Sequence, residues 1–200
     1  MKLNSFEFLL MNNPVRAASQ RWIEAPRLIG PPGALAGARV LEVGCGRGVG
    51  VEILLSLGAA HVTGFDLDPK MVALAQKRTA KYDGRVQIFV GDAEKVDLPE
   101  ASFDAVVDFG ILHHVPDWQK AIREVARLLQ PGGSFYFEDI FAGFTRTLLV
   151  RTLTDHPLKT QFSGVAFKAG IEQAGMQVVK WWQLGNWLGA GLAVKAREPR

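Results

Sequence analysis

Cysteine is nearly absent from this chain of 200 residues; Cys45 is the sole one, so no intrachain disulfide can form. A reducing cytoplasm is the expected setting, and the fold must rest on its core. No uncharged apolar stretch approaches the ~20 residues that a membrane helix needs. Asn4, Ser5 and Glu7 interrupt any apolar run before Asn12-Asn13-Pro14, so the first residues do not read as a signal peptide and a soluble protein is expected. The net charge of +3 and the pI near 9.1 come without any run of like charges, and a nucleic-acid partner is not expected. Internal repeats, low-complexity tracts and metal-ligand spacings are also missing. At 48% hydrophobic and 22% charged, residues 1–200 suit one domain with a sizeable core.

What is present is organised around Val40-Leu41-Glu42-Val43-Gly44-Cys45-Gly46-Arg47-Gly48. A short apolar run ends in an acid and alternate glycines, which reads as a strand entering a nucleotide-binding turn. Glycines there allow positive φ and leave no Cβ between main chain and ligand. A helix beginning near Val49 would turn its free N–H groups to the same ligand.

The remaining pattern alternates short β-branched runs with helical periods, as in βα units on a parallel sheet. Strands are expected at 40–43, 61–65, 86–90, 103–109 and 134–137, the last launched by a turn at Pro131-Gly132-Gly133. Helices are expected at 51–57, after the Asp68 cap and Pro69, at 118–129 and at 163–174. Gln177–Gln183 and Leu188–Lys195 read as an antiparallel hairpin through Gly185-Asn186, giving a mixed α/β sheet of about seven strands, five parallel plus the C-terminal hairpin, with helices on both faces. Ahead of the linker Gly30-Pro31-Pro32-Gly33, residues 5–28 read as two short helices broken by Pro14 and Pro26.

Ligands in open α/β sheets sit beyond the carboxyl ends of the strands. The distinctive residues fall there: Glu42 to Gly48, Asp66, Asp92, Asp108 to His114, Glu138 and Asp139. Asp66 lies about 20 residues past the first glycines, where an acid can bind both hydroxyls of a ribose. A dinucleotide turn would want glycine or alanine at position 49, which is Val49, and its third glycine instead falls at 48.

With Val40–Gly48, Phe65–Pro69, Gly91-Asp92-Ala93, Phe103–His114 and Leu129–Gly133 in order, the chain resembles the class I S-adenosylmethionine-dependent methyltransferases. It looks most like their small-molecule branch, which includes quinone-biosynthesis enzymes. The resemblance covers roughly residues 38–196 and implies a Rossmann-like core there, a helical extension over 1–37, and an acceptor-binding insertion at 139–161. It implies S-adenosylmethionine as cofactor, with Glu42, Gly44, Cys45, Gly46 and Gly48 bordering its methionine part and Asp66 on the ribose. Leu67 would pack on the adenine, Asp92 would accept from the adenine amine, the Ala93 N–H would serve a ring nitrogen, and Phe109 would lie near the sulfonium. The partner would be a small-molecule acceptor.

Methyl transfer needs no nucleophilic side chain. Cys45 reads as a small turn residue, Asp68 as a cap and Asp104 as structural. His113 and His114 are the candidate catalytic bases. Asp108, Glu138 and Asp139 are candidate substrate-binding carboxylates. Phe141, Phe144, Leu148, Leu149, Arg151 and His156, with Trp181, Trp182 and Trp187, suit an apolar acceptor or a membrane-surface contact, against which stands plain core packing. Residues Asp108-Phe109-Gly110-Ile111 stand where a nucleic-acid amino methylase would carry an Asn/Asp-Pro-Pro-Tyr/Phe element. Two other readings stay open: an NAD(P)-dependent oxidoreductase, and a non-catalytic cofactor-binding or membrane-surface module.

Overall fold

The computed structural model describes residues 13–82, 84–145 and 161–197. The expected helix around Phe6, Leu9 and Leu10, and most of the 139–161 segment with Leu148, Leu149, Arg151 and His156, lie outside the described residues.

Seven strands form one sheet: β1 (Arg39–Val43), β2 (His61–Asp66), β3 (Val86–Val90), β4 (Phe103–Phe109), β5 (Leu129–Ile140), β6 (Met176–Leu184) and β7 (Leu188–Lys195). Their order is β3-β2-β1-β4-β5-β7-β6. The first five run parallel, and β7 inserts antiparallel between β5 and β6. Strand order reverses between β1 and β4, so a crevice opens where Val43 pairs with Asp108.

The alternation of side chains along β1 and β4 divides the core in two. Leu41, Val43 and Val106 face α5 (Trp118–Leu128) and α7 (Gly164–Gln173). Val40, Ala105 and Val107 face α3 (Val49–Ser56) and α4 (Pro69–Thr79). Both faces are therefore covered, as a mostly parallel sheet requires. Asp68 caps α4 by accepting from the Lys70 N–H at 2.9 Å, with Pro69 in the first turn. Asp104 is structural: its carboxylate accepts from the Arg39 N–H at 2.7 Å and so ties the start of β1 to β4.

The amino-terminal segment departs from the expectation of two helices broken by prolines. Helix α1 (Pro14–Ser19) starts at Pro14, with the Asn13 side chain accepting from the Arg16 N–H. It passes through a π-helical turn at Gln20–Glu24 into α2 (Ala25–Leu28). A proline suits a first helical position, where its missing N–H is not needed. The widened turn, with the Ala25 N–H bonded to the Gln20 carbonyl, carries the chain past Pro26 without a break.

The turn expected at Pro131-Gly132-Gly133 is instead an irregularity inside β5. Pairing with β4 jumps from Phe103–Leu129 to Ala105–Ser134. After β5, a short α6 (Ala142–Thr145) leads out of the sheet. Aromatic packing there is divided: Phe141 is fully buried and stacked on Trp181, whereas Trp182 and Trp187 are half exposed. Core packing holds for the first pair and fails for the second. No described helix is long and apolar enough to cross a membrane.

Candidate functional site

A cavity of about 210 Å³ opens beyond the carboxyl ends of β1, β2, β3 and β4. Its floor is the turn after β1. The Cys45 N–H donates to the Phe65 carbonyl at 2.8 Å and the Gly48 N–H to the Cys45 carbonyl at 2.8 Å, which fixes the turn to the end of β2. Gly44 has φ +64, and a Cβ there would lie 2.7 Å from the Ile111 side chain. Only glycine supplies both the left-handed backbone and the close approach to the loop after β4.

Asp66 organises the second wall. One carboxylate oxygen accepts from the Gly46 N–H and the other from the Asp68 N–H, both at 2.9 Å. Burial raises its pKa, partly offset by those two donors. Beside it Leu67 is 53% exposed on the cavity wall, an apolar side chain half open to solvent. Asp92 and Ala93 line the far end, with Asp92 accepting from the Glu94 N–H at 2.9 Å.

Glu42 stands on the inner wall. It is only 3% exposed, and no group donates to its Oε2. Burial, followed by repulsion from Asp66 and Asp108, pushes its pKa well above the usual carboxylate range. The side chain lies against the first turn of α3, because a Cβ on Gly50 would fall 2.0 Å from Glu42 Oε1. Burial likewise pushes the Cys45 thiol up, so it stays protonated and is no nucleophile.

Of the candidate residues, Glu42, Gly44, Cys45, Gly46, Asp66, Leu67, Asp92, Ala93, Phe109 and His114 line this cavity; Gly48 instead packs beneath it against Ala75. His113, Asp108, Glu138 and Asp139 are not on its wall. His113 Nδ1 sits 2.5 Å from Asp139 Oδ1, and its N–H donates to Asp139 Oδ2 at 3.1 Å. That pair is buried and clamps the loop after β4 to β5. Asp108 is fully buried, accepts from the Ile111 N–H at 2.9 Å, and is repelled by Asp139 on the next strand. Burial moves the Asp139 pKa to about 8 and raises that of Asp108 well above its usual range. Glu138 reaches about 9 through burial and then its neighbour Glu24.

Sequence reasoning missed Arg16, Ala17 and Gln20, which roof the cavity from α1 and the π turn. Arg16 is engaged by Glu24 and lies 3.8 Å from Glu138. Gly50 was also missed, although a lone glycine inside a helical run is itself a hint of close packing.

An exposed Leu beside a doubly anchored Asp, a glycine-rich turn, and a buried acid with an unpartnered oxygen fit a nucleoside that carries a positive charge. Residues 41–137 match the sequence profile of the methyltransferase domain family. Together with the strand order, this match over just under half of the chain makes it similar to the class I S-adenosylmethionine-dependent methyltransferases.

More particularly, the chain is 42% identical over 107 residues to the ubiquinone biosynthesis O-methyltransferase of Xanthomonas oryzae pv. oryzae, covering 53% of this chain and 44% of that protein. It is 38% identical over 115 residues to the 27-O-demethylrifamycin SV methyltransferase of Amycolatopsis mediterranei, covering 56% and 42%. The chain thus spans less than half the length of these curated relatives. Among solved structures, an S-adenosylmethionine-dependent methyltransferase from Mesorhizobium loti superposes with TM-score 0.70 at 21% identity, covering 86% of this chain and 96% of that one, which speaks to the fold.

Proposed function

We propose that this chain transfers a methyl group from S-adenosylmethionine to a small, partly apolar acceptor by direct displacement, acting in the cytoplasm. The observation that carries this reading is the convergence of Gly44 to Gly46, Asp66-Leu67, Asp92-Ala93 and Phe109 on one strand-end cavity. When bound, the cofactor supplies an activated methyl carbon on a cationic sulfur.

Asp66 has one backbone donor on each oxygen, which leaves lone pairs for a ribose diol. Leu67 supplies an apolar face for a flat base, and Asp92 with the Ala93 N–H reads its edge. Glu42 and the turn from Gly44 to Gly46 border the methionine part, which carries the sulfonium. Ile111 and Val115 exclude water from the reacting side, and Arg16 and Gln20 close the roof. His114, on the wall, is the histidine placed to take a proton from an acceptor hydroxyl; His113 serves the loop through Asp139. O-methylation is favoured as the reaction type because both relatives named above are O-methylating or rifamycin-modifying methyltransferases.

Calorimetric titration with S-adenosylmethionine, followed by an acceptor screen with a labelled methyl group and product mass as readout, tests the proposal. Asp66→Ala is expected to weaken cofactor binding tenfold or more, about 1.4 kcal/mol. Asp68→Ala, which removes the α4 cap, is expected to weaken it less. Equal losses would show that the wrong acid has been placed on the ribose. Saturable NAD(P)H binding without S-adenosylmethionine binding would overturn the reading.

A further inference from the structure

Three buried carboxyls converge behind the cavity from three neighbouring strands: Glu42 on β1, Asp108 on β4 and Asp139 on β5. None is more than 3% exposed. A buried acid without a donor is costly as an anion and calls for an explanation. Glu42 Oε2 is such an atom, on the wall of the cavity. Asp108, whose Oδ2 is also buried without a hydrogen-bond partner, is repelled by Asp139 on the next strand.

The groups that face Glu42 are acids or a thiol, whereas Asp139 has the imidazole of His113 as its partner. Glu42 faces Asp66 on β2, Asp108 on β4 and the thiol of Cys45. Asp108 faces Asp139, and Glu138 on β5 in turn faces Asp108, Glu24 and Arg16. On the loop after β4, His113 is bonded to Asp139, and the His114 ring lies tilted against it with centroids 4.0 Å apart. The cavity's two lining arginines are committed elsewhere: Arg16 to Glu24, and Arg47 to the Asn13 carbonyl at 3.2 Å.

We propose that Glu42 holds a proton while the cavity contains no cation and releases it when a sulfonium enters, making Glu42 the residue that distinguishes the methylated cofactor from its neutral thioether product. The proposal rests on the methyl-donor reading above and deepens it. Binding of the cation lowers the cost of ionising Glu42, and the freed proton goes to solvent. Loss of the methyl group removes the sulfonium charge, so Glu42 regains its proton and its hold on the product weakens relative to fresh donor. Ligand binding that releases a proton strengthens as pH rises. S-adenosylmethionine and S-adenosylhomocysteine share the nucleoside and amino-acid groups, so the titrations of those groups cancel in the ratio of the two affinities.

The test is calorimetry of both compounds from pH 6 to 8.5, repeated in buffers of different ionisation enthalpy. The ratio of S-adenosylmethionine to S-adenosylhomocysteine affinity is expected to rise about threefold or more across that range, with a limit of tenfold per pH unit for one whole proton. Proton release is expected with the sulfonium compound and to be smaller with the thioether. Glu42→Gln is expected to flatten the ratio, and the wild-type measurement does not depend on that variant's folding. A ratio that stays flat while both compounds bind overturns this inference alone. Failure of both to bind at every pH overturns the methyl-donor reading and this inference with it.

Discussion

Gly50 lies two residues past the glycine turn, in the first turn of α3, and the carboxylate of Glu42 occupies the space its side chain would need. Two effects of Gly50→Ala therefore oppose each other. Alanine is favoured over glycine in a helix by about 1 kcal/mol, whereas forcing a methyl into a filled site costs about 1–3 kcal/mol. With a Cβ 2.0 Å from Oε1, the clash wins. Gly50→Ala alone is expected to lower the urea midpoint, while the same change in a Glu42→Ala background is expected to raise it, a sign reversal that a double-mutant cycle detects. A lower midpoint in both backgrounds would show that something other than Glu42 fills the space. Such contacts mark the limit of what residues alone disclose. Glu42, Asp66 and Asp92 were legible because each follows a recognisable strand at a characteristic spacing. Gly50 against Glu42, and Arg16 over the cavity, depend on elements meeting in space. His113 reads as a base in sequence and as a clamp in structure for the same reason: its partner Asp139 lies on another strand.

The element that most needed the structure is the amino-terminal helix. Its prolines look like breaks, but Pro14 opens α1 and the π turn absorbs Pro26. The parallel strands were legible because buried β-branched runs alternate with helical periods, and the closing hairpin because Gly185-Asn186 separates two strand-like runs. What seats α1 over the cavity is partly ionic. Glu52 on α3 meets Arg21 of the π turn at 3.7 Å, Arg78 of α4 at 3.0 Å and Lys81 at 2.8 Å. Burial alone would raise the Glu52 pKa, but Lys81 and Arg78 outweigh it and hold it below the usual value. A lowered folded value means that this stabilisation is complete above the unfolded pKa and is lost as pH falls through the folded one. Glu52→Gln is expected to cost about 1 kcal/mol at pH 7, as for a partly exposed charge network. The gap between variant and wild type in urea denaturation is expected to close below about pH 4. A gap independent of pH would mean that Glu52 acts by packing rather than by charge.

At the scale of the whole molecule, the sheet sets two populations of acids against each other. Glu52 and Glu124, each paired with basic side chains, have lowered pKa values and strengthen the fold as pH rises out of the acid range. Glu42, Asp108, Asp139 and Glu138, gathered at the carboxyl ends of β1, β4 and β5, are raised by burial, the last two to about 8 and about 9. For these four the sign is the reverse. Below the usual carboxylate range of about 4 both states hold the proton and nothing is lost. Above it the unfolded chain releases protons that the folded chain keeps, so each further rise in pH favours unfolding until the folded groups also ionise. The lowered acids act mostly below pH 5, and the raised ones from there to about pH 9. The melting temperature of the cofactor-free protein is therefore expected to fall steadily between pH 5 and 9, and Glu138→Gln, which cannot ionise, is expected to flatten part of that fall. Scanning calorimetry across the range decides the matter. A melting temperature that climbs from pH 5 to 9 would show that the strand-end carboxyls are already ionised in the folded chain, and the charge at the bottom of the cavity would then be fixed rather than drawn out by a cation.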